Sequence, residues 1–259
     1  MKRFFNHLKH SSFVIRRLQN GIIIAIAVLL IIGCVTYIPS VFSVSLAVQT
    51  YDLPITSIHT DKQILSLTFD ATGTNEQISE ILSILDKYNI HATFFVTGEW
   101  VSSYPDDVKT ISLAGHDIGN YSQSYSEMNE LSKEKIQYEI SQLHTTIKQL
   151  TGTDMTLFRP PYGSYNSFLI SCAKQLNYNT IQWNIDSLDW KGYRTDCIID
   201  TVVNHKNLSN GSIILFHNDG KYTKNALEII IQTLQKKGFS FVPVSKLIES
   251  SSSYEVISY

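Results

Sequence analysis

Apolar and polar positions alternate along most of the chain in a way that predicts short strands and amphipathic helices in turn. Ile64–Phe69 is β-branched and aromatic, the make-up of a strand. Asn75–Tyr88 then sets Ile78, Ile81, Leu82 and Leu85 at helical spacing, with Asn75 as the expected cap. Ala92–Val96 reads as a second strand, and Trp100–Leu113 as a helix with Pro105 inside its first turns. His116–Asn120 is short and strand-like. Ser132 is placed to cap a helix that runs to Leu150 and ends at Gly152.

The alternation continues. Leu157–Phe158, Thr180–Asn184, Ser212–Phe216 and Phe239–Val242 read as strands, and Asn166–Leu176, Thr195–His205 and Thr223–Lys237 as helices. Repeated β-then-α units of this length predict an α/β fold with a parallel sheet and helices outside it. Roughly seven such units suit a barrel better than a sandwich.

The N-terminal part breaks this rhythm. Residues 1–20 carry Lys2, Arg3, Lys9, Arg16 and Arg17 and no acid, and no charge then appears before Asp52. Gly21–Ile38 is apolar or small, and about 18 such residues suffice to cross a bilayer as a helix. Basic residues on the N-terminal side place that end in the cytoplasm and the larger part outside the cell. The expected organisation is a basic cytoplasmic tail at 1–20, a single-pass transmembrane signal-anchor at 21–44, a linker at 45–62, one domain at 63–250 and a polar tail at 251–259. Two processing readings compete with a retained anchor. Ser45-Leu46-Ala47 loosely fits a signal-peptidase site, and Ile31-Ile32-Gly33-Cys34 loosely resembles a lipoprotein box.

Composition narrows the function. Outside the basic tail the chain holds 23 acids against the remaining 16 bases, a poor match for non-specific nucleic-acid binding, which needs a basic patch. Cys172 and Cys197 could pair outside the cell but read as separate small residues, and no cysteine spacing suggests zinc.

In parallel α/β barrels functional side chains gather at the carboxyl ends of the strands. Asp70 follows the first strand and Tyr121 the third. Arg159-Pro160-Pro161-Tyr162-Gly163 follows the fourth, Asp186-Ser187-Leu188-Asp189-Trp190 the next, and His217-Asn218-Asp219 the apolar Ser212–Phe216 strand. Each alone has a bland explanation: a helix cap for Asp70, a structural ion pair for Arg159, packing for Trp190. Their joint order is what carries weight.

That order resembles the five motifs of the polysaccharide deacetylase (NodB-homology, carbohydrate esterase 4-like) family, over about Ile64 to Ile248. Thr68-Phe69-Asp70-Ala71 is similar to the first motif, Thr-Phe-Asp-Asp, with its last position changed. Ala92–Val96 matches the strand usually found after it, and Gly115–Asn120 the approach to the second motif. Arg159–Gly163, Asp186–Trp190 and Leu215-Phe216-His217 are full third, fourth and fifth motifs.

The resemblance implies a distorted (β/α)7 barrel and hydrolysis of acetamide C–N bonds on the N-acetylated amino sugars of cell-wall glycan, peptidoglycan-like or chitin-like. It implies Asp70 as general base, Arg159 as its partner, and the Tyr162 backbone N–H at the oxyanion. It implies Asp186 or Asp189 as the carboxylate tuning the histidine, Trp190 as a groove wall, Leu215 as the acetyl-methyl pocket, and His217 as general acid. The family's divalent metal, such as zinc, is held by the motif's second Asp and two His residues. Those positions here are Ala71, Tyr121 and Tyr125. An alanine methyl cannot coordinate, and a neutral phenol is a poor ligand beside imidazole. No metal cofactor is therefore expected, and a catalytically inactive ectodomain, glycan-binding or structural, stands as the alternative to a working deacetylase.

Overall fold

The computed structural model describes residues 21–32 and 53–251. Two units divide at residue 51. Of the first, 21–32 is helical. The rest of the expected 21–44 span, like the basic tail at 1–20, lies outside the described residues. Among the described residues no helix is long and apolar enough to cross a membrane.

The second unit is a curled parallel sheet. Its strands are β1 (Ile64–Ala71), β2 (Thr93–Val96), β3 (Asp117–Asn120), β4 (Leu157–Phe158), β5 (Asn179–Thr180), β6 (Ile185–Asp186), β7 (Ile213–His217) and β8 (Ser240–Phe241). The order across it is β5-β4-β3-β2-β1-β7-β6, with β8 paired to the start of β1. Helices α1 (Ile78–Lys87), α2 (Gly98–Ser103), α3 (Pro105–Leu113), α4 (Lys133–Thr151), α5 (Ser167–Gln175), α6 (Thr195–Val203), α7 (Thr223–Lys236) and α8 (Val244–Glu249) connect or follow the strands.

The two-residue period of β1 sorts its side chains between two environments. Leu65, Leu67, Phe69 and Ala71 join the large cluster that also holds the apolar faces of the helices. Within it Phe69 stacks on Phe94 and Phe216, with ring centroids 5.0 and 5.6 Å away. Ser66, Thr68 and Asp70 point the other way, where Thr68 Oγ1 donates to the Ile214 carbonyl at 2.8 Å. A second cluster around Phe95, Leu157, Ile181 and Ile213 fills the concave side.

The expected distorted (β/α)7 barrel is observed as a curled parallel half-barrel, because β5 and β6 do not pair. The single strand expected over Thr180–Asn184 is instead two stubs, each two residues long. Between them side chains replace the ladder: Gln182 Nε2 donates to the Gly163 carbonyl at 3.0 Å, and Asn184 Oδ1 accepts from the Ile213 N–H at 2.9 Å. The chain ahead of β1, read in sequence as a polar linker, enters this gap. Ile55 bridges to Ile181 and Ser57 to Ser212, while Ile55 and Ile58 are buried in the concave cluster. Gly211 makes the approach feasible: with φ of +78°, a side chain there would run into the Ile58 carbonyl.

Other local differences have simple causes. The helix expected over Trp100–Leu113 is broken at Tyr104, because Pro105 lacks an N–H and starts a new helix instead of continuing the old one. Asn75 does not cap α1; its amide donates to Asp107 Oδ2 at 2.7 Å. Ser132 and Gly152 do bound α4, Ser132 by accepting from the Lys135 N–H and Gly152 in the left-handed conformation. The α8 helix was not foreseen. Cys172 and Cys197 are both free.

Candidate functional site

A cavity of about 710 Å³ opens at the carboxyl ends of the strands. Of the residues singled out in the sequence, Asp70, Asp186, Asp189, Tyr121, Tyr125, Tyr162, Trp190, Leu215 and His217 line it. Arg159 lies behind its wall and Ala71 faces away from it, buried in the helix-side cluster.

Parallel register brings the two proton-handling groups together, since Asp70 on β1 is the direct partner of His217 on β7. Asp70 is 1% exposed and receives Arg159 Nη1 on Oδ1 at 2.6 Å. The guanidinium also donates from Nη2 to Thr68 Oγ1 at 3.0 Å and to the Gln182 carbonyl at 3.2 Å. Its plane covers the Phe95 ring at 4.0 Å. A charge this fully buried needs such partners. Asp70 Oδ2 is buried without a hydrogen bond of standard geometry, with the Tyr121 phenol as its neighbouring donor.

His217 Nδ1 meets Asp189 Oδ1 at 2.8 Å. A carboxylate accepts, so Nδ1 carries the proton and Nε2 is left for the cavity. Asp189 Oδ2 takes the His217 backbone N–H at 2.9 Å and the Thr223 hydroxyl at 2.6 Å. Burial pulls the imidazole pKa down, but the Asp189 bond and the charges of Asp70, Asp189 and Asp186 outweigh it and leave it raised. Sequence left Asp186 and Asp189 as alternatives for this role, and the contacts assign it to Asp189. Asp186 instead shapes the turn, accepting from the Leu188 N–H at 2.8 Å and from Trp190 Nε1 at 3.4 Å. Leu188 is held left-handed there, which throws Trp190 outward at the rim, 56% exposed.

Tyr121 and Tyr125 come from a loop built to hold them. Ser122 and Tyr125 both have positive φ, of 69° and 54°. The strain is held by Asn120 Oδ1 accepting from the Ser122 N–H, Ser122 Oγ accepting from the Tyr125 N–H, and buried Glu139 on α4 accepting from the Ser124 N–H and hydroxyl. The rings form a chain: Tyr121 to Tyr125 with centroids 5.1 Å apart, and Tyr125 to Tyr162 at 4.6 Å. Burial pushes the Tyr121 phenol well above its ordinary pKa, and the Asp70 charge pushes it further. Tyr125 is raised by burial too.

This donor set does not fit a divalent metal. A phenol must lose its proton to bind one well, and here burial and Asp70 both oppose the loss. Of the neighbouring carboxylates, Asp70 is already paired with Arg159 and Asp189 with His217, and the alanine position points elsewhere. Glu76, His91, Glu99 and His116 do not line the cavity to compensate. His116 packs against Phe94 and accepts the Ala92 N–H on Nδ1. Among the described residues no three His, Cys, Asp or Glu side chains are grouped to hold an ion.

Sequence reasoning placed Asp219 at a strand end without giving it a role and missed Trp183, Thr72 and Lys221; all four line the cavity. Asp219 sits over Gly73, where a side chain would collide with its carboxylate. Burial raises its pKa, His217 opposing and Asp189 adding. The signal available was its place two residues beyond His217, at a strand end. Thr223, the third partner of Asp189, gave no signal of its own.

A parallel α/β half-barrel with a buried carboxylate and a carboxylate-backed imidazole at its strand ends gathers acid–base groups where such folds carry their functional side chains. The match is specific: residues 57–181 fit the Polysaccharide deacetylase model. The chain belongs to the polysaccharide deacetylase family. It is similar to an uncharacterised 30.6 kDa protein of Geobacillus stearothermophilus, 35% identical over 72% of this chain and 71% of that one. It is also similar to a peptidoglycan-N-acetylglucosamine deacetylase of Bacillus cereus, 32% identical over 74% and 70%. Among solved structures it resembles BA3943, a CE4 family pseudoenzyme from Bacillus anthracis, with a TM-score of 0.73, 29% identity and coverage of 78% and 70%. A BA3943 mutant with restored enzymatic activity matches with the same TM-score, at 30% identity over 78% and 73%.

Proposed function

We propose that this chain is a non-hydrolysing member of its family that binds amino-sugar glycan of the cell wall in the strand-end cavity. The observation that carries the reading is the Tyr121–Tyr125 ring pair, the first phenol buried and the second half-buried, at the positions the family resemblance gives to metal ligands, with burial favouring the protonated form of both. A metal in such a hydrolase polarises the carbonyl and activates water. Its loss costs several kcal/mol of barrier, and each ~1.4 kcal/mol is tenfold in rate. The aromatic wall of Tyr125, Tyr162, Trp183 and Trp190 still offers flat faces to sugar rings. The peptidoglycan substrate named for the Bacillus cereus relative and the pseudoenzyme status of BA3943 support the same reading. The basic residues of 1–20 and the apolar stretch at 21–44 support a single-pass anchor with the domain at the outer face of the membrane.

A second reading, a hydrolase working without the usual ligands, is favoured by the intact Asp70–Arg159 and Asp189–His217 pairs. One experiment separates them. The full chain, purified in detergent with zinc offered, is tested for bound metal, for acetate release from peptidoglycan and chitin oligomers, and for binding of the same oligomers by calorimetry. The proposal expects no acetate and saturable binding that Trp190→Ala weakens about tenfold, ~1.4 kcal/mol. Acetate release with one tightly held zinc would establish the hydrolase instead.

A further inference from the structure

The charge of the cavity points to a narrower ligand. Four carboxylates line it, and only two are paired with a basic side chain: Asp70 with the Arg159 guanidinium, and Asp189 with the His217 imidazole. Asp186 and Asp219 form no ion pair among the described residues. Lys221 also lines the cavity, with its ammonium over the Tyr222 ring at 5.2 Å. A second, independent feature adds to this surplus. Asp70, 1% exposed and part of the cavity lining, keeps Oδ2 without a hydrogen bond of standard geometry, the Tyr121 phenol being its neighbouring donor. A buried carboxylate oxygen left in that state is costly unless a ligand donates to it.

We propose that the preferred ligand is a de-N-acetylated amino sugar, whose free ammonium sits between Asp70 and Asp219 while the ring lies against the aromatic wall. This rests on the glycan-binding reading and names its chemical class. An ammonium brings three donors and a positive charge to a place that offers acceptors. An acetamide brings one N–H and a carbonyl oxygen. In a cavity with surplus carboxylates and no metal, that oxygen gains little and meets like charge. The molecule would thus recognise what its hydrolytic relatives produce, as a reader of deacetylated wall.

The test uses the full chain in detergent and two probes of equal length: a β-1,4-linked glucosamine tetramer and its fully N-acetylated counterpart. Calorimetric titration is expected to show the free-amine tetramer binding at least about tenfold tighter, as one charge-assisted contact provides. Asp219→Asn is expected to shrink that ratio to about threefold or less, with a circular dichroism spectrum like the parent's. Equal or tighter binding of the acetylated tetramer would overturn this inference while leaving glycan binding intact. Failure of both tetramers to bind would overturn the two together.

Discussion

Asp189 grips His217 at two points, with Oδ1 on the imidazole Nδ1 at 2.8 Å and Oδ2 on the backbone N–H at 2.9 Å. One carboxylate thus sets both the place of the residue and the tautomer of its ring. Removing it leaves burial opposed only by the charges of Asp70 and Asp186. In Asp189→Asn the His217 pKa is expected to fall relative to the parent, in which it is raised. An NMR titration of the ring in both proteins checks this, and an unmoved pKa in the variant would show that Asp189 is not the controlling partner. Linkage gives the sign for stability. A raised folded pKa contributes fully below 6.5 and is lost as pH rises through the folded value.

His116 works in the opposite direction. Burial first, and then the charge of His91, depress its pKa from 6.5 to about 4. The unfolded chain therefore binds a proton that the folded chain refuses, and stability drains away as pH falls from 6.5 toward 4. Denaturation midpoints in urea at pH 7 and pH 5 should differ less in His116→Asn than in the parent. An equal difference in both would exclude His116 as the source.

Arg159 and Asp70 are both shut off from solvent. Arg159→Met removes one charge and strands the other, a change that costs about 3–5 kcal/mol in buried pairs. Adding Asp70→Asn should recover part of that loss. Urea denaturation of the single and double variants measures the coupling, and purely additive losses would mean that the pair is not a stabilising unit.

The metal position can be rebuilt. Ala71→Asp, Tyr121→His and Tyr125→His together restore the family's ligand types, and the triple variant is expected to take up about one zinc per chain while the parent takes up none. Elemental analysis after dialysis decides. Zinc uptake by the parent would contradict the argument from protonated phenols, and none by the triple variant would show that Ala71, buried among the helix-side residues, cannot turn toward the cavity.

Much of this architecture is legible in the sequence, because parallel βα units place chemistry at strand ends and the strands are marked by their apolar residues. Asp70, His217 and the Arg159–Tyr162 turn stand out that way, whereas Ala71, Tyr121 and Tyr125 gain meaning only from the family resemblance. The half-barrel was not legible. Ile55 and Ile58 are two isolated apolar residues in a polar stretch, and only their partners 126 and 153 positions away show that they are structural. Asp219 escaped for a related reason: its neighbours Gly73 and Tyr125 come from distant segments, so its burial is invisible in local pattern. The choice between Asp186 and Asp189 turned on the left-handed backbone of Leu188, which no residue type at that position announces.

The way Ile55 and Ser57 plug the sheet also sets a rule for handling the protein. A fragment trimmed to begin at β1, as residue composition alone would suggest, would leave the strand edge at Thr180–Ile181 bare and a hole beside Gly211. Exposed edges of that kind recruit other chains. Such a fragment should precipitate or swap segments, and a well-behaved version must keep Ile55, Ser57 and Ile58.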